Sequence, residues 1–238
     1  MRHVVRLLGT LLTVAGLGTL AWTVTVWRWQ DPLTAVYTHY EQHRLASRLN
    51  REFAAYDEQR VRSHEAVAVE RRRLAADAAR FRRSATIGQP IGRIIVPRIG
   101  LNMVLVNGTD HDTLKKGPGR DPRTFMPGQS RLVYIAGHRT TYLAPFSHID
   151  RLRRGDRVTI EMPYATFVYR ITGHRIVPGN DLAVLASHGR EALELQACHP
   201  RFFATHRYIA YALAVQVIPR GGKPLAVRTG PGPAPPYY

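Results

Sequence analysis

From Leu7 to Val26 the chain reads LLGTLLTVAGLGTLAWTVTV, twenty residues without a charged side chain. At 1.5 Å of rise per residue, a helix of that length crosses the roughly 30 Å hydrocarbon core of a bilayer. Trp22, Trp27 and Trp29 stand at the far end, where an aromatic belt meets the interface, and Arg2, His3 and Arg6 precede the run. A cleaved signal peptide would carry a shorter apolar stretch, about 7–15 residues, and would end in small residues instead of Trp27-Arg28-Trp29. The segment is expected to be an uncleaved, single-pass anchor with its N-terminus in the cytoplasm. Residues 28–238 then lie outside the membrane.

The formal net charge of +17 asks for a polyanionic neighbour. An extracytoplasmic location argues against nucleic acid and leaves anionic lipid headgroups or an anionic envelope polymer. Asp31-Pro32 interrupts the helix leaving the anchor, and from Leu33 to Arg83 there is no glycine and no further proline. Leu45, Leu49, Phe53 and Tyr56 follow helical spacing, and Val67, Leu74 and Phe81 recur every seven residues. One or two amphipathic helices are expected, acting as a stalk or solvated spacer with one apolar seam. Their arginine-rich face suits contact with an anionic membrane surface.

At Ile87 the composition changes. IGQPIGRIIVPRIGLNMVLVNG introduces glycine, proline and β-branched runs, and short strand-like segments follow: RLVYIAGH, DRVTIEM, TFVYRITGHRIV, ALELQACH and YIAYALAVQVI. Turn clusters such as KKGPGRDP, MPGQS, RRGD and VPGND separate them. This is the pattern of an all-β sandwich or barrel. The domain organisation expected is a cytoplasmic terminus over 1–6, an anchor helix over 7–27, a helical spacer over 28–86, the β domain over 87–220 and a disordered Pro/Gly-rich tail over 221–238.

The single cysteine, Cys198, lies in ELQACHPRF. Exported proteins usually pair their cysteines, so one alone points to a free reactive thiol or an intermolecular bridge. A nucleophilic cysteine needs a base or a cationic neighbour, and donors for an oxyanion. His199 follows Cys198 directly, but successive strand residues face opposite sides, which disfavours it as the base. His138, where RLVYIAGHRTT runs from strand into loop, is better placed. His111, His148, His174, His188 and His206 occupy loops or strand flanks. Arg207 opens an apolar strand, where a guanidinium serves either a ligand at the rim or an edge-strand salt bridge. Zinc lacks a second cysteine, and no H-x₃₋₅-H pair accompanies Cys198 within the β region. Gln196-Ala197-Cys198 is similar to the caspase motif, but His199-Pro200 replaces the pair that motif requires.

VPRIG (Val96 to Gly100), LKKGPG (Leu114 to Gly119), AGHRTT (Ala136 to Thr141), APF (Ala144 to Phe146) and CHPRF (Cys198 to Phe202), followed by the strand bearing Arg207, resemble in order and spacing a sortase. Among sortases the sequence is most similar to the class E type of high-GC Gram-positive bacteria. The resemblance implies a closed eight-stranded β-barrel in which His138, Cys198 and Arg207 share a groove. It implies a transpeptidase that cleaves a Thr–Gly bond in a C-terminal sorting motif (LPXTG- or LAXTG-like) of exported proteins. The thioacyl enzyme would be captured by a peptidoglycan-precursor or pilin amine. No metal or organic cofactor is implied; some relatives respond to calcium, for which this sequence carries no signature. The family usually places threonine before the cysteine, and Ala197 stands there instead. The alternative is a catalytically weakened, membrane-tethered binding module for envelope polymers or partner proteins.

Overall fold

A computed structural model describes residues 2–28, 31–59 and 67–227; Trp29 and the tail beyond residue 227 lie outside the described residues. Helix α1 (Arg2–Arg28) is apolar and long enough to span a bilayer. Its threonines Thr10, Thr13, Thr19, Thr23 and Thr25 each return their hydroxyl to the carbonyl four residues earlier. No hydroxyl of that set is left unpaired in an apolar surrounding, where each would cost several kcal/mol.

Helix α2 (Pro32–Gln59) begins at the Asp31-Pro32 step. The Asp31 carboxylate accepts from Leu33 N at 3.1 Å, and proline is tolerated in the first turn because its missing N–H would have no helical partner. Helix α3 (Val67–Ser84) follows. Together they form the helical region expected before the barrel, but their apolar seams pack on the β domain instead of standing free as a stalk. Leu45 and Leu49 of α2 are buried against Val104 and Val106, while Leu74 and Ala78 of α3 join the main core. The basic face remains outward, but the apolar seams are spent on the β domain.

The β domain comprises β1 (Pro90–Val96), β2 (Leu101–Asn107), β3 (Gly119–Arg120), β4 (Leu132–Ala136), β5 (Arg157–Glu161), β6 (Ala165–Pro178), β7 (Ala192–His199), β8 (His206–Pro219) and β9 (Leu225–Ala226). The strand order is β6-β5-β1-β2-β3-β4-β7-β8, and pairing of β6 with β8 closes these eight into a barrel. Most pairs are antiparallel; β2–β3 and β4–β7 are parallel. Side chains alternating inward, among them Ile94, Leu105, Val133, Ile135, Ile160, Phe167, Tyr169, Leu193 and Leu195, fill the interior. β9 is an addition outside the closed set. It pairs with β8, and Leu225 and Val227 pack on the core, so the segment expected to open a loose tail at residue 221 is held to the barrel up to Val227.

Candidate active site

Three neighbouring strand ends build one groove. β4 stops at Ala136, yet Gly137 N still donates to Gln196 O of β7 at 3.0 Å, extending the pairing and carrying His138 to the mouth. Only glycine fits at 137, since a Cβ there would lie 2.7 Å from the Phe146 ring. On β7, period-two alternation sends Leu193, Leu195 and Ala197 into the core and Glu194, Gln196 and Cys198 to the other face. β8 runs antiparallel to β7 with Arg207 in register opposite Cys198. His138, Cys198 and Arg207 all line a groove of about 260 Å³. Tyr134, Ala136 and Gln196 line it as well, and Leu182, Val184 and Leu185 of the 3-10 turn Leu182–Leu185 wall it.

Arg207 is not on an edge strand, because β8 pairs with β6 as well as β7 there and Arg207 is opposite Val177. It has no carboxylate partner among the described residues. Its Nη1 donates to the carbonyls of Ala204, at 2.6 Å, and His206, at 3.0 Å. Carbonyl oxygens fix a guanidinium without neutralising it, so its charge is available to an anion in the groove.

His138 is half-buried, and its Nε2 is buried with no hydrogen-bond partner among the described residues. Burial, with a smaller contribution from His111, holds its pKa below the ordinary histidine value. A neutral imidazole with an unpartnered ring nitrogen is a proton acceptor, and on the acid side of that lowered value it is a donor.

His199 takes the opposite face from Cys198. Its Nδ1 lies 3.1 Å from Nη1 of Arg139, which also donates to the Cys198 carbonyl at 3.2 Å; Nη2 of Arg139 donates to Asp150 at 2.9 Å. Arg139 therefore fixes the backbone beneath Cys198 from the side away from the groove. Sequence reasoning assigns it no role, and its only signal is its place next to His138. Ala197 is fully buried in the core. A threonine hydroxyl at that position would face the core packing beneath the cysteine rather than the groove.

Two buried glutamates, Glu191 just before β7 and Glu194 further back on it, lie outside the groove lining. Glu191 is pushed up to about 7 by burial, although Gly128 N, Ser130 N and the Tyr169 hydroxyl all donate to it. Glu194, on the same face of β7 as Cys198 but in a separate pocket with Leu132 and Leu213, is pushed up to about 8 by burial alone, and its Oε2 has no partner among the described residues. His148, His174, His188 and His206 do not line the groove. No group of three or more His, Cys, Asp or Glu side chains with metal-binding geometry occurs among the described residues.

The sortase domain family model matches residues 94–215. Sortase D of Bacillus subtilis (strain 168) is 32% identical over 132 residues, covering 54% of this chain and 65% of that protein. Sortase SrtE1 of Streptomyces coelicolor is 29% identical over 116 residues, covering 44% of this chain and 33% of that protein. The chain thus spans between a third and just under two thirds of the length of these curated relatives. Among solved structures, a Clostridium perfringens Sortase D5 transpeptidase superposes with a TM-score of 0.58 at 22% identity, covering 74% of this chain and 99% of that one, a likeness of fold. Sortase E from Streptomyces avermitilis superposes with a TM-score of 0.52 at 34% identity, covering 60% of this chain and 99% of that one. With the closed eight-stranded barrel and a cysteine, a histidine and an arginine in one groove, the match over half the chain leads to one conclusion: this chain belongs to the sortase family.

Proposed function

We propose that the chain is a membrane-anchored sortase, with a cytoplasmic N-terminus and its groove outside the membrane, that acts through Cys198, His138 and Arg207. The observation carrying this reading is the convergence of the only cysteine, an unpartnered imidazole nitrogen and an arginine without a carboxylate partner among the described residues on one groove. The thiolate of Cys198 attacks the threonine carbonyl carbon of a Thr–Gly bond, forming the C–S bond as the carbonyl π electrons move onto oxygen. The guanidinium of Arg207, across the β7–β8 pair from Cys198, holds that oxyanion. Collapse breaks the C–N bond, and the imidazolium of His138 gives its proton to the departing glycine amine. An incoming amine then attacks the thioester and passes a proton to the now neutral His138, and the thiolate leaves. No step requires a metal.

The donor is an exported protein with a C-terminal sorting motif, LPXTG- or LAXTG-like. The acceptor is a peptidoglycan-precursor or pilin amine. Identity to a D-type and an E-type sortase is similar, and the class E reading rests on the Streptomyces sortases and on the motif pattern.

The test incubates the full chain in detergent with a Leu-x-x-Thr-Gly pentapeptide library and an amine acceptor, following ligated products by mass spectrometry. Ligated product that requires Cys198 supports the reading and identifies the motif. A well-folded chain that ligates and acylates with none of the peptides overturns it in favour of a binding module.

A further inference from the structure

The ring of His138 lies 5.0 Å from that of Tyr142, tilted by 37°, and Tyr142 in turn meets Tyr37 of α2 edge-on at 6.5 Å. Tyr142, Leu143 and Ala144 all have positive φ, at 54°, 58° and 37°. Three successive non-glycine residues in that region are costly and persist only where their surroundings hold them. Within the loop, Ala144 N donates to Thr141 O at 2.8 Å and Phe146 N to His138 O at 3.1 Å. From outside it, the Thr34 hydroxyl of α2 accepts from Tyr142 N at 2.9 Å and donates to Asp31 O at 3.3 Å.

α2 is itself fixed by polar side chains one helical turn apart. Thr38 donates to Lys115 O at 2.7 Å. Gln42 donates to Lys116 O at 2.7 Å and to Val104 O at 3.1 Å, and accepts from Val104 N at 2.7 Å, acting as a neighbour to β2 where that strand lacks one. Thr34, Thr38 and Gln42 are spaced i, i+4, i+8, and so share one stripe that Leu45 and Leu49 continue.

We infer that Tyr142 is a positioning residue for His138, and that the first turns of α2, through Thr34 and Tyr37, hold the loop that carries both. The helix directly following the anchor thereby governs the aim and solvent access of the acid–base group. This rests on the reading of His138 as that group. The titratable and charged groups around His138 and the groove it lines are Tyr142 on its own loop, Tyr37 of α2, His111 and Lys115 of the turn before β3, Asp121 and Arg123 after β3, Tyr134 of β4, Asp181 after β6, Cys198 of β7 and Arg207 of β8.

The experiment uses the full chain in detergent with ¹³C-labelled histidine rings, the His138 signal being assigned by its loss in His138→Gln. Thr34→Val and Tyr142→Ala are compared with Thr34→Ser and Tyr142→Phe. The His138 titration midpoint is expected to move upward, toward the ordinary histidine value, in the first pair and to return in the second. Acylation of Cys198 by Leu-Ala-Glu-Thr-Gly is expected to fall roughly tenfold or more in the first pair. Its pH limb from His138 should shift to higher pH, and the conservative pair should recover rate and limb together. An unmoved midpoint in Thr34→Val overturns the inference. That substitution replaces the hydroxyl with a methyl of similar shape and decides the matter alone if Tyr142→Ala does not fold. If the unaltered chain is not acylated, or His138→Gln acylates normally, the catalytic reading of His138 fails while the midpoints still decide the positioning.

Discussion

The two faces of β7 carry different kinds of side chain. Leu193, Leu195 and Ala197 on one face are each fully buried within the barrel core. Glu194, Gln196 and Cys198 on the other share a polar surface on which the Glu194 carboxyl has an oxygen with no partner. The same eight residues thus hold the fold with one set of side chains and leave chemistry unsatisfied with the other. Buried polar atoms normally find partners, and those that do not mark places where folding has not been the only constraint. The His138 Nε2 is another such atom, on a side chain that lines the Cys198 groove.

The largest expected effects separate the faces most cleanly. Cys198→Ala should remove all acylation while leaving the melting temperature close to that of the parent. Leu195→Ala, three residues away on the core face, should cost about 2–5 kcal/mol of stability by opening a cavity, read by denaturant unfolding. Its remaining folded fraction should keep Cys198 reactive. If both substitutions damage stability equally, the division of labour is wrong.

Next comes Arg207→Ala. Losing the oxyanion donor should lower the acylation rate by about 10²–10³-fold, measured by single-turnover quench, with little change in stability because no ion pair among the described residues is lost. Arg207→Lys should recover only part of the rate, since an ammonium lacks the planar fork.

The smallest effects concern the two glutamates and depend on pH. Both are raised in the folded state, to about 7 for Glu191 and about 8 for Glu194, above the ordinary carboxyl value of 4.5. The native protein therefore holds protons that the unfolded chain has released, and stability falls as pH rises from about 4.5 through those values. Glu194→Gln removes a carboxyl that prefers to stay neutral, so it should raise the melting temperature at pH 8 and leave it nearly unchanged at pH 4. Glu191→Gln should instead destabilise, by about 1–3 kcal/mol, because an amide NH₂ would replace one of the oxygens accepting from Gly128, Ser130 and Tyr169. Thermal melts across that pH range distinguish the two.

Much of this organisation is legible in the sequence. The apolar helix long enough to span a bilayer follows from a charge-free run, and the barrel from short strands punctuated by turns. The separation of His199 from Cys198 follows from strand alternation alone, and here His199 is taken by Arg139 on the far side. The docking of α2 is not legible, because half of its seam is polar. Leu45 and Leu49 reveal themselves by hydropathy, whereas Thr38, fully buried, and Gln42 look like solvent-facing residues until the backbone groups they satisfy are in place. β9 escapes notice for a related reason. Leu225-Ala226 is too short to show a period, and only the free edge of β8 makes it a strand. Within the site, Arg139 and Tyr142 act through tertiary contacts with β7 and α2, which no local spacing encodes.

The most direct test of the account is the intact mass of the full chain after exposure to a Leu-x-x-Thr-Gly peptide without an added amine. The account predicts an acyl adduct on Cys198 that disappears in Cys198→Ala and is released when an amine is supplied. An adduct that persists in Cys198→Ala, or a folded protein that forms none with any peptide while Cys198 stays inert to thiol reagents, would contradict it.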